Sequence, residues 1–296
     1  MNRIPGFYAW HAYQNIILAG SLLAALAPAV SAQELSKLPY VPTPQVVVDE
    51  MLKLAGVTAD DFVIDLGSGD GRIVITAAKR FKAKGLGVDI DGKLVALSNR
   101  NARAEKVEDR VEFAERDMFK TEISKASVLT LYVLPDFMQK LRSKVLAELK
   151  PGTRVVAHDY PIDEWHPDRV VTLTVPEKME ANGTDKAYLY LWIVPAGVGG
   201  TCRVDFDAEE RSEELVVTFN QRYQMIDAVA ERMRRPLPIR ESMLTGATVK
   251  FSITLGTRQY QFSGRVDGDK IEGTATTLTG KGPLKWRGTR VAKGSY

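Results

Sequence analysis

The chain holds a single cysteine, Cys202, and three histidines, His11, His158 and His166, among 296 residues. One cysteine excludes an intrachain disulfide and a cysteine-based zinc site, so Cys202 reads as a small buried residue. Three scattered histidines exclude a multi-histidine metal centre, and no metal is expected. An excess of one charge is missing too: 40 Lys and Arg against 37 Asp and Glu leave a net charge of +3, with no dense basic run. The electrostatic footprint of a nucleic-acid binder is therefore absent, and no nucleic-acid partner is expected. With 45% hydrophobic and 26% charged residues, the length suffices for two domains with full cores.

Long apolar runs are also scarce. The one that stands out, Ile16 to Val30, follows Arg3 and ends in Val30-Ser31-Ala32 before Gln33, the small-residue pattern of a signal-peptidase site. Pro28 interrupts it, and it is short for a spanning helix. Residues 1–32 are thus expected to form a signal peptide or an N-terminal anchor, and the protein to be exported or envelope-associated, periplasmic or membrane-anchored. Arg3 before the run and Lys37 and Lys53 after it leave the positive-inside count undecided.

From about Thr43 to Pro195 strands alternate with helices, which predicts βαβ units and a parallel sheet. Thr43 reads as the cap of a helix starting at Pro44, with Val46, Val47, Met51, Leu52, Leu54 and Ala55 on its apolar face. Strands follow at 62–66, 85–89, 111–114, 128–133 and 154–158, with helices at 72–82, 92–106 and 136–149. Two last strands, 170–175 and 187–194, are joined without room for a crossover helix, so an antiparallel hairpin closes the sheet. This domain is placed at 33–196. Beyond Pro195-Ala196-Gly197 the pattern changes to short alternating runs such as ELVVTF, ATVKFSITL and YQFSGRV. They predict a second, antiparallel β domain at 197–296, a small sheet or barrel with glycines at tight corners. Within it Gln221 to Arg235 fits either a helix or a strand.

The stretch Ile64 to Val74, IDLGSGDGRIV, ends a buried strand in three alternating glycines and opens a helix. Open α/β sheets bind nucleotides at such a turn, because glycines let the backbone approach the ligand. The order Gly67-Ser68-Gly69-Asp70-Gly71 departs from the dinucleotide fingerprint, and no glycine-lysine-serine/threonine P-loop is present. Asp65, just before the glycines, would repel phosphate and accept hydrogen bonds from a cationic amino group. The ligand expected here is cationic nearby.

Asp65-Leu66-Gly67-Ser68-Gly69-Asp70-Gly71 resembles motif I of the class I, seven-strand S-adenosylmethionine methyltransferases. In that family an acidic residue ending the second strand holds the ribose hydroxyls, a place matched by Asp89. An acidic residue after the third strand lies near the adenine amino group, matched by Asp117, followed by Met118. The fold implied is a Rossmann-like seven-strand sheet, with S-adenosyl-L-methionine as cofactor. The segments PYVPTP at 39–44, Leu134-Pro135-Asp136 and ELKPGTRVV at 148–156 narrow the resemblance to the small membrane-associated protein lysine methyltransferases of the ATP synthase c-subunit and adenine nucleotide translocase type. That resemblance implies protein lysine N-methylation and a protein substrate, with a membrane protein among the candidates. It also implies that the segment holding Tyr40, Pro42 and Thr43 helps close the site. The Asp/Asn-Pro-Pro-Tyr/Phe signature of exocyclic base methylation is replaced by Val133-Leu134-Pro135-Asp136, which argues against a nucleobase.

Methyl transfer from a sulfonium needs alignment and no enzymic nucleophile. A lysine acceptor must be neutral, and aromatic and carboxylate groups at the strand ends would favour that state, which makes Tyr40, Tyr132, Asp159 and Tyr160 candidates, with Thr43 added by the resemblance. Two other readings stay open: a small-molecule methyltransferase, and a non-catalytic envelope protein in which a relict fold carries the β domain as a binding module. An exported enzyme would also stand apart from the cytoplasmic source of its donor, which an uncleaved anchor would resolve.

Overall fold

The computed structural model describes residues 40–208, 211–277 and 282–294; the signal-like segment 1–32 lies outside the described residues. Seven strands build the first sheet: β1 (Phe62–Leu66), β2 (Lys84–Asp89), β3 (Val111–Glu115), β4 (Val128–Leu131), β5 (Arg154–His158), β6 (Arg169–Thr174) and β7 (Lys186–Ile193). Their spatial order is β3-β2-β1-β4-β5-β7-β6. The first five run parallel, and β7 runs antiparallel to both β5 and β6. The later strand of the hairpin lies inside because it carries the apolar residues: Ala187, Leu189, Leu191 and Trp192 are buried, whereas β6 is largely exposed and forms the edge.

Successive residues of each parallel strand point to opposite faces, so both faces can be covered by helices. One face takes Ile64, Leu129 and Val155, packed under α4 (Pro135–Glu148) through Phe137, Met138, Leu141 and Val145. The other takes Val63, Val128 and Val156 against α1 (Gln45–Leu54) and α2 (Arg72–Phe81). The helix α3 (Gly92–Ala104) is capped by Asp91, whose carboxylate accepts from Lys93 N at 2.8 Å.

Two local expectations need correction. Pro44, not Thr43, caps α1; Thr43 is buried, with its hydroxyl turned to His158. Val46 leaves the apolar face and is 54% exposed, while Val47, Val48, Met51, Leu52, Leu54 and Ala55 are buried on the sheet side. As expected, β6 and β7 are joined as an antiparallel hairpin with no crossover helix, the connection holding only the single turn α5 (Lys178–Asn182).

After Ile193 the chain leaves this sheet, and at Gly200 it enters a second one of nine antiparallel strands: β8 (Gly200–Ala208), β9 (Arg211–Arg222), β10 (Met225–Arg232), β11 (Arg235–Leu237), β12 (Ile239–Thr245), β13 (Thr248–Leu255), β14 (Arg258–Asp267), β15 (Lys270–Thr277) and β16 (Leu284–Lys293), ordered β11-β10-β9-β8-β16-β15-β14-β13-β12. Every neighbour is a chain neighbour except β8 (Gly200–Ala208) and β16 (Leu284–Lys293), which pair with each other. The far edges approach as well: Ser242 Oγ on β12 (Ile239–Thr245) donates to the carbonyl of Ile226 on β10 (Met225–Arg232) at 3.0 Å. The sheet is thus nearly a barrel, and its interior is filled by Phe206, Phe219, Phe251, Phe262 and Trp286, with Phe251 and Phe262 stacked at 4.8 Å. The ambiguous Gln221 to Arg235 is a hairpin, the end of β9 (Arg211–Arg222) turning through Tyr223-Gln224 into β10.

That turn seats the barrel on the first sheet. Trp165, 1% exposed, stacks on Tyr223 at 5.7 Å and donates through Nε1 to Gln224 Oε1 at 2.8 Å. Gln224 Nε2 donates to the His166 carbonyl at 2.6 Å, and Trp192 Nε1 donates to the Trp165 carbonyl at 2.7 Å. Trp165 is therefore a packing residue. Among the described residues no helix is long and apolar enough to cross a membrane.

Candidate active site

Strand order lays out the carboxyl edge of the parallel sheet. The loops after β3, β2 and β1 form one half of a cleft, and those after β4 and β5 form the other. The cleft, of about 270 Å³, is lined by Asp65, Gly67, Ser68 and Asp70 of the glycine loop, by Val88, Asp89, Ile90 and Asp91 after β2, and by Arg116 and Met118 after β3. Across from them stand Tyr132, Val133 and Leu134 after β4 and Tyr160 after β5, with Tyr40 to Thr43 along one wall.

The glycine loop is fixed from below and above. Asp89 Oδ2 accepts from Gly69 N at 2.9 Å, while its Oδ1 accepts from Asp91 N at 3.0 Å. Gly69 has φ +54°, and a Cβ there would stand 2.4 Å from the Tyr40 ring. Gly71 begins α2 at φ +82°, and a Cβ would stand 2.7 Å from Phe113 and Ser98. Only glycine meets both the left-handed backbone and the close approach. Gly69 and Gly71 thus shape the loop without lining the cleft.

Arg72 ties the wall to the loop. Its Nε and Nη2 donate to the Asp70 carboxylate at 2.9 and 2.6 Å, and Nη1 donates to the Thr43 carbonyl at 2.9 Å. The guanidinium beside Asp70 holds that carboxyl below its ordinary range. Burial, with help from Asp70, pushes the Tyr40 hydroxyl up to about 12, so it stays protonated at neutral pH and cannot serve as a phenolate base.

Asp65 is 2% exposed and accepts from Thr130 Oγ1 at 2.7 Å. Burial pushes its carboxyl up to about 7, and the neighbouring Asp89 and Asp70 add to the shift. A cation placed beside it would reverse that penalty. Ser68 Oγ is buried and has no hydrogen-bond partner.

A family profile described as ANTKMT methyltransferase domain matches residues 65–169. A protein-lysine N-methyltransferase of Saccharolobus islandicus is 41% identical over 154 residues, covering 52% of this chain and 92% of that protein. A lysine N-methyltransferase of Xenopus laevis, named for the ATP synthase c-subunit, is 34% identical over 166 residues, covering 54% and 72%. The crystal structure of an RNA methyltransferase from Salinibacter ruber in complex with S-adenosyl-L-homocysteine is 47% identical, covers 52% of this chain and 93% of that one, and superposes with a TM-score of 0.47. The chain belongs to this family of lysine methyltransferases.

It is an S-adenosylmethionine-dependent methyltransferase, and its cleft fits the donor. Asp65 lines the cleft with a buried carboxyl whose raised pKa a cation beside it would relieve. The Asp89 carboxylate uses two of its roughly four acceptor sites on backbone N–H groups, leaving two for a diol. These residues, with Gly67 and Met118, would hold the donor in the methyltransferase.

Other expected residues lie elsewhere. Asp117 turns its carboxylate back to accept from Phe119 N at 2.9 Å and does not line the cleft. Asp159 is not brought to the cleft either: it adopts φ +62°, accepts from Tyr188 N at 3.1 Å and binds Lys178 Nζ at 2.5 Å. The expectation put Asp159 among the strand-end groups that favour a neutral lysine, but Lys178 pairs with it instead. Sequence reasoning missed Arg72, whose position directly after motif I was a signal, and Arg116, Leu94 and Phe137, which carried none.

Proposed function

We propose that this methyltransferase transfers a methyl group to the ε-amino group of lysine in a protein. The observation that carries the reading is the 41% identity to a protein-lysine N-methyltransferase over nearly all of that protein's length. The acceptor half of the cleft supports it. Tyr132 stacks parallel to Tyr160 with centroids 6.4 Å apart, and Tyr40, Pro42 and Leu134 complete an aromatic and apolar surround, with no acidic residue among those lining the cleft after β4. Such walls suit the alkyl stem of lysine and the face of its amine.

Bound S-adenosylmethionine supplies a sulfonium methyl, transferred as the carbon–sulfur bond breaks and a nitrogen–carbon bond forms. The chain's residues align and select. A free lysine ammonium has a pKa of about 10.4, so the apolar surround must favour loss of its proton to solvent before the lone pair is available. Holding the amine in line with the donor can supply roughly 7–11 kcal/mol of the barrier. The segment 40–43, latched by Arg72, forms the wall that would keep water from the reacting atoms.

We also propose a membrane protein as the target. The relative named for the ATP synthase c-subunit and the anchor-like character expected of residues 1–32 support this choice. The experiment is incubation of the full chain with methyl-labelled S-adenosylmethionine and separate membrane and soluble protein fractions, followed by hydrolysis and amino-acid analysis. Label recovered as methyllysine from membrane protein is the expected result. Label only in RNA, or only in small molecules, would overturn the lysine assignment, and label confined to soluble proteins would overturn the choice of target.

A further inference from the structure

Behind the acceptor half, at the carboxyl end of β5, lies a buried group of charges that the reaction above does not use. Lys178 sits on α5 in the β6–β7 connection, yet its side chain is 1% exposed. Its Nζ donates to Asp159 Oδ2 at 2.5 Å and to the Lys186 carbonyl at 2.7 Å, and stands 3.4 Å from His158 Nε2. His158 is itself buried. Its Nδ1 lies 3.5 Å from Thr43 Oγ1, and its ring is covered by Tyr132 with centroids 4.1 Å apart. Thr43 and Tyr132 both line the cleft.

Burying an ammonium costs several kcal/mol before pairing, a cost that a methionine of similar length would not carry. Its chemistry at this place supplies a reason. An ammonium has donors only, and with Asp159 and the Lys186 carbonyl taking two of its three N–H bonds the third is left for His158 Nε2; Asp159 Oδ2, also 3.4 Å from that nitrogen, already accepts from Lys178, so the nitrogen is the acceptor in this arrangement. A neutral imidazole has one acceptor, so the proton sits on the other nitrogen, Nδ1, which donates to Thr43 Oγ1. The Thr43 O–H is then left to donate into the cleft.

We propose that Lys178 is a positioning residue for methyl transfer, fixing the tautomer of His158 and through it the orientation of the Thr43 hydroxyl and the Tyr132 ring. This rests on the methyltransferase assignment, not on lysine as acceptor. The groups facing His158 are Lys178 from α5 and Asp159 from the end of β5, with the uncharged Thr43 from the segment before α1 and Tyr132 from after β4. On β7, Tyr190 next to the His158 partner Leu189 is pushed up by burial and stays protonated. Burial, opposed by Asp159 and assisted by Lys178, pushes His158 down to about 4, so the ring is neutral at physiological pH. Without Lys178, Asp159 remains with an uncompensated attraction for the His158 proton.

The test is long-range proton–nitrogen NMR on the full chain labelled at histidine. The expected native spectrum shows His158 protonated at Nδ1, with no titration across about pH 5.5–8. A proton on Nε2 in the native protein would overturn the proposal without any variant. In Lys178→Met, His158 is expected to start titrating in that window, and turnover to gain an acidic limb falling about tenfold per pH unit. Calorimetric affinity for S-adenosylhomocysteine should stay as in the native protein. Lys178→Met/Asp159→Asn should lose the limb, and Lys178→Arg should keep the native tautomer. An unchanged His158 spectrum and pH profile in Lys178→Met would also overturn the proposal. If Lys178→Met fails to fold, the native tautomer and Lys178→Arg still decide. Because the tautomer is read without any acceptor, a failure here is distinguishable from a wrong acceptor.

Discussion

Lowering the pH should release the donor from this protein, and Asp65 sets the scale. Its carboxyl is raised from an ordinary value of 3.8 to about 7 because it is buried, with Asp89 and Asp70 adding repulsion. If the cationic part of the donor binds only the carboxylate, the dissociation constant follows the ionised fraction, weakening about 50-fold, or about 2 kcal/mol, between pH 7 and pH 5. Binding at about pH 6 should then release close to one proton. The ligand-free protein should show the opposite trend. A folded pKa above the unfolded one contributes stability that is full below 3.8 and lost as pH rises through about 7, on the order of 4 kcal/mol in this case. His158 at about 4 and Tyr40 at about 12 titrate outside the window, and an α-amino group titrates near 7.7–8.0. Calorimetry with S-adenosylmethionine from about pH 5.5 to 7.5, in two buffers of different ionisation enthalpy, reads affinity and proton release together. Asp65→Asn should bind weakly at every pH. A flat affinity with no proton release in the native protein would refute the reasoning.

Asp89→Ala should weaken S-adenosylhomocysteine by about 1.5–3 kcal/mol, roughly 10- to 150-fold, and also lower the melting temperature, since Gly69 N and Asp91 N lose their acceptor. Unchanged affinity would remove Asp89 from the site. Arg72→Met frees the Thr43 carbonyl and Asp70, so the donor KM should rise up to about tenfold, with faster amide exchange confined to 40–44; uniform exchange throughout the sheet would mean general destabilisation instead. Met233→Asn/Arg234→Gly replaces two left-handed residues, φ +50° and +61°, with types that tolerate that conformation, and should stabilise the barrel by about 1–2 kcal/mol in a thermal melt without changing turnover. A lower melting temperature would show that these side chains contribute contacts.

The donor half was legible because its chemistry is local. Gly67 to Gly71, Asp65 and the strand-end Asp89 lie within short stretches whose spacing follows from one strand–turn–helix unit. The β9–β10–β11 hairpins were not legible for an equally local reason: their turns use Tyr223, Met233 and Arg234 at positive φ, where glycine or asparagine would have announced them. Asp159 was misplaced because its partner Lys178 comes from the far end of a hairpin, and nothing in either neighbourhood records the pairing. Asp117 kept its strand-end address but turned its carboxylate to its own loop.

The pairing of β8 with β16 ties the beginning of the second sheet to its end: Phe206 meets Trp286, and Gly200 meets Lys293. On the ribosome, β8 must wait for all seven intervening strands before its second edge is covered, whereas in the first sheet β1 waits only until β4 and β5 only until β7. A chain cut anywhere between β15 and β16 would leave the open edges of β8 and β15 offering unpaired N–H and C=O groups, the template for strand addition by another molecule. Loss of the last strand should therefore reach the cell first as aggregation, before any effect on the methyl-transfer cleft.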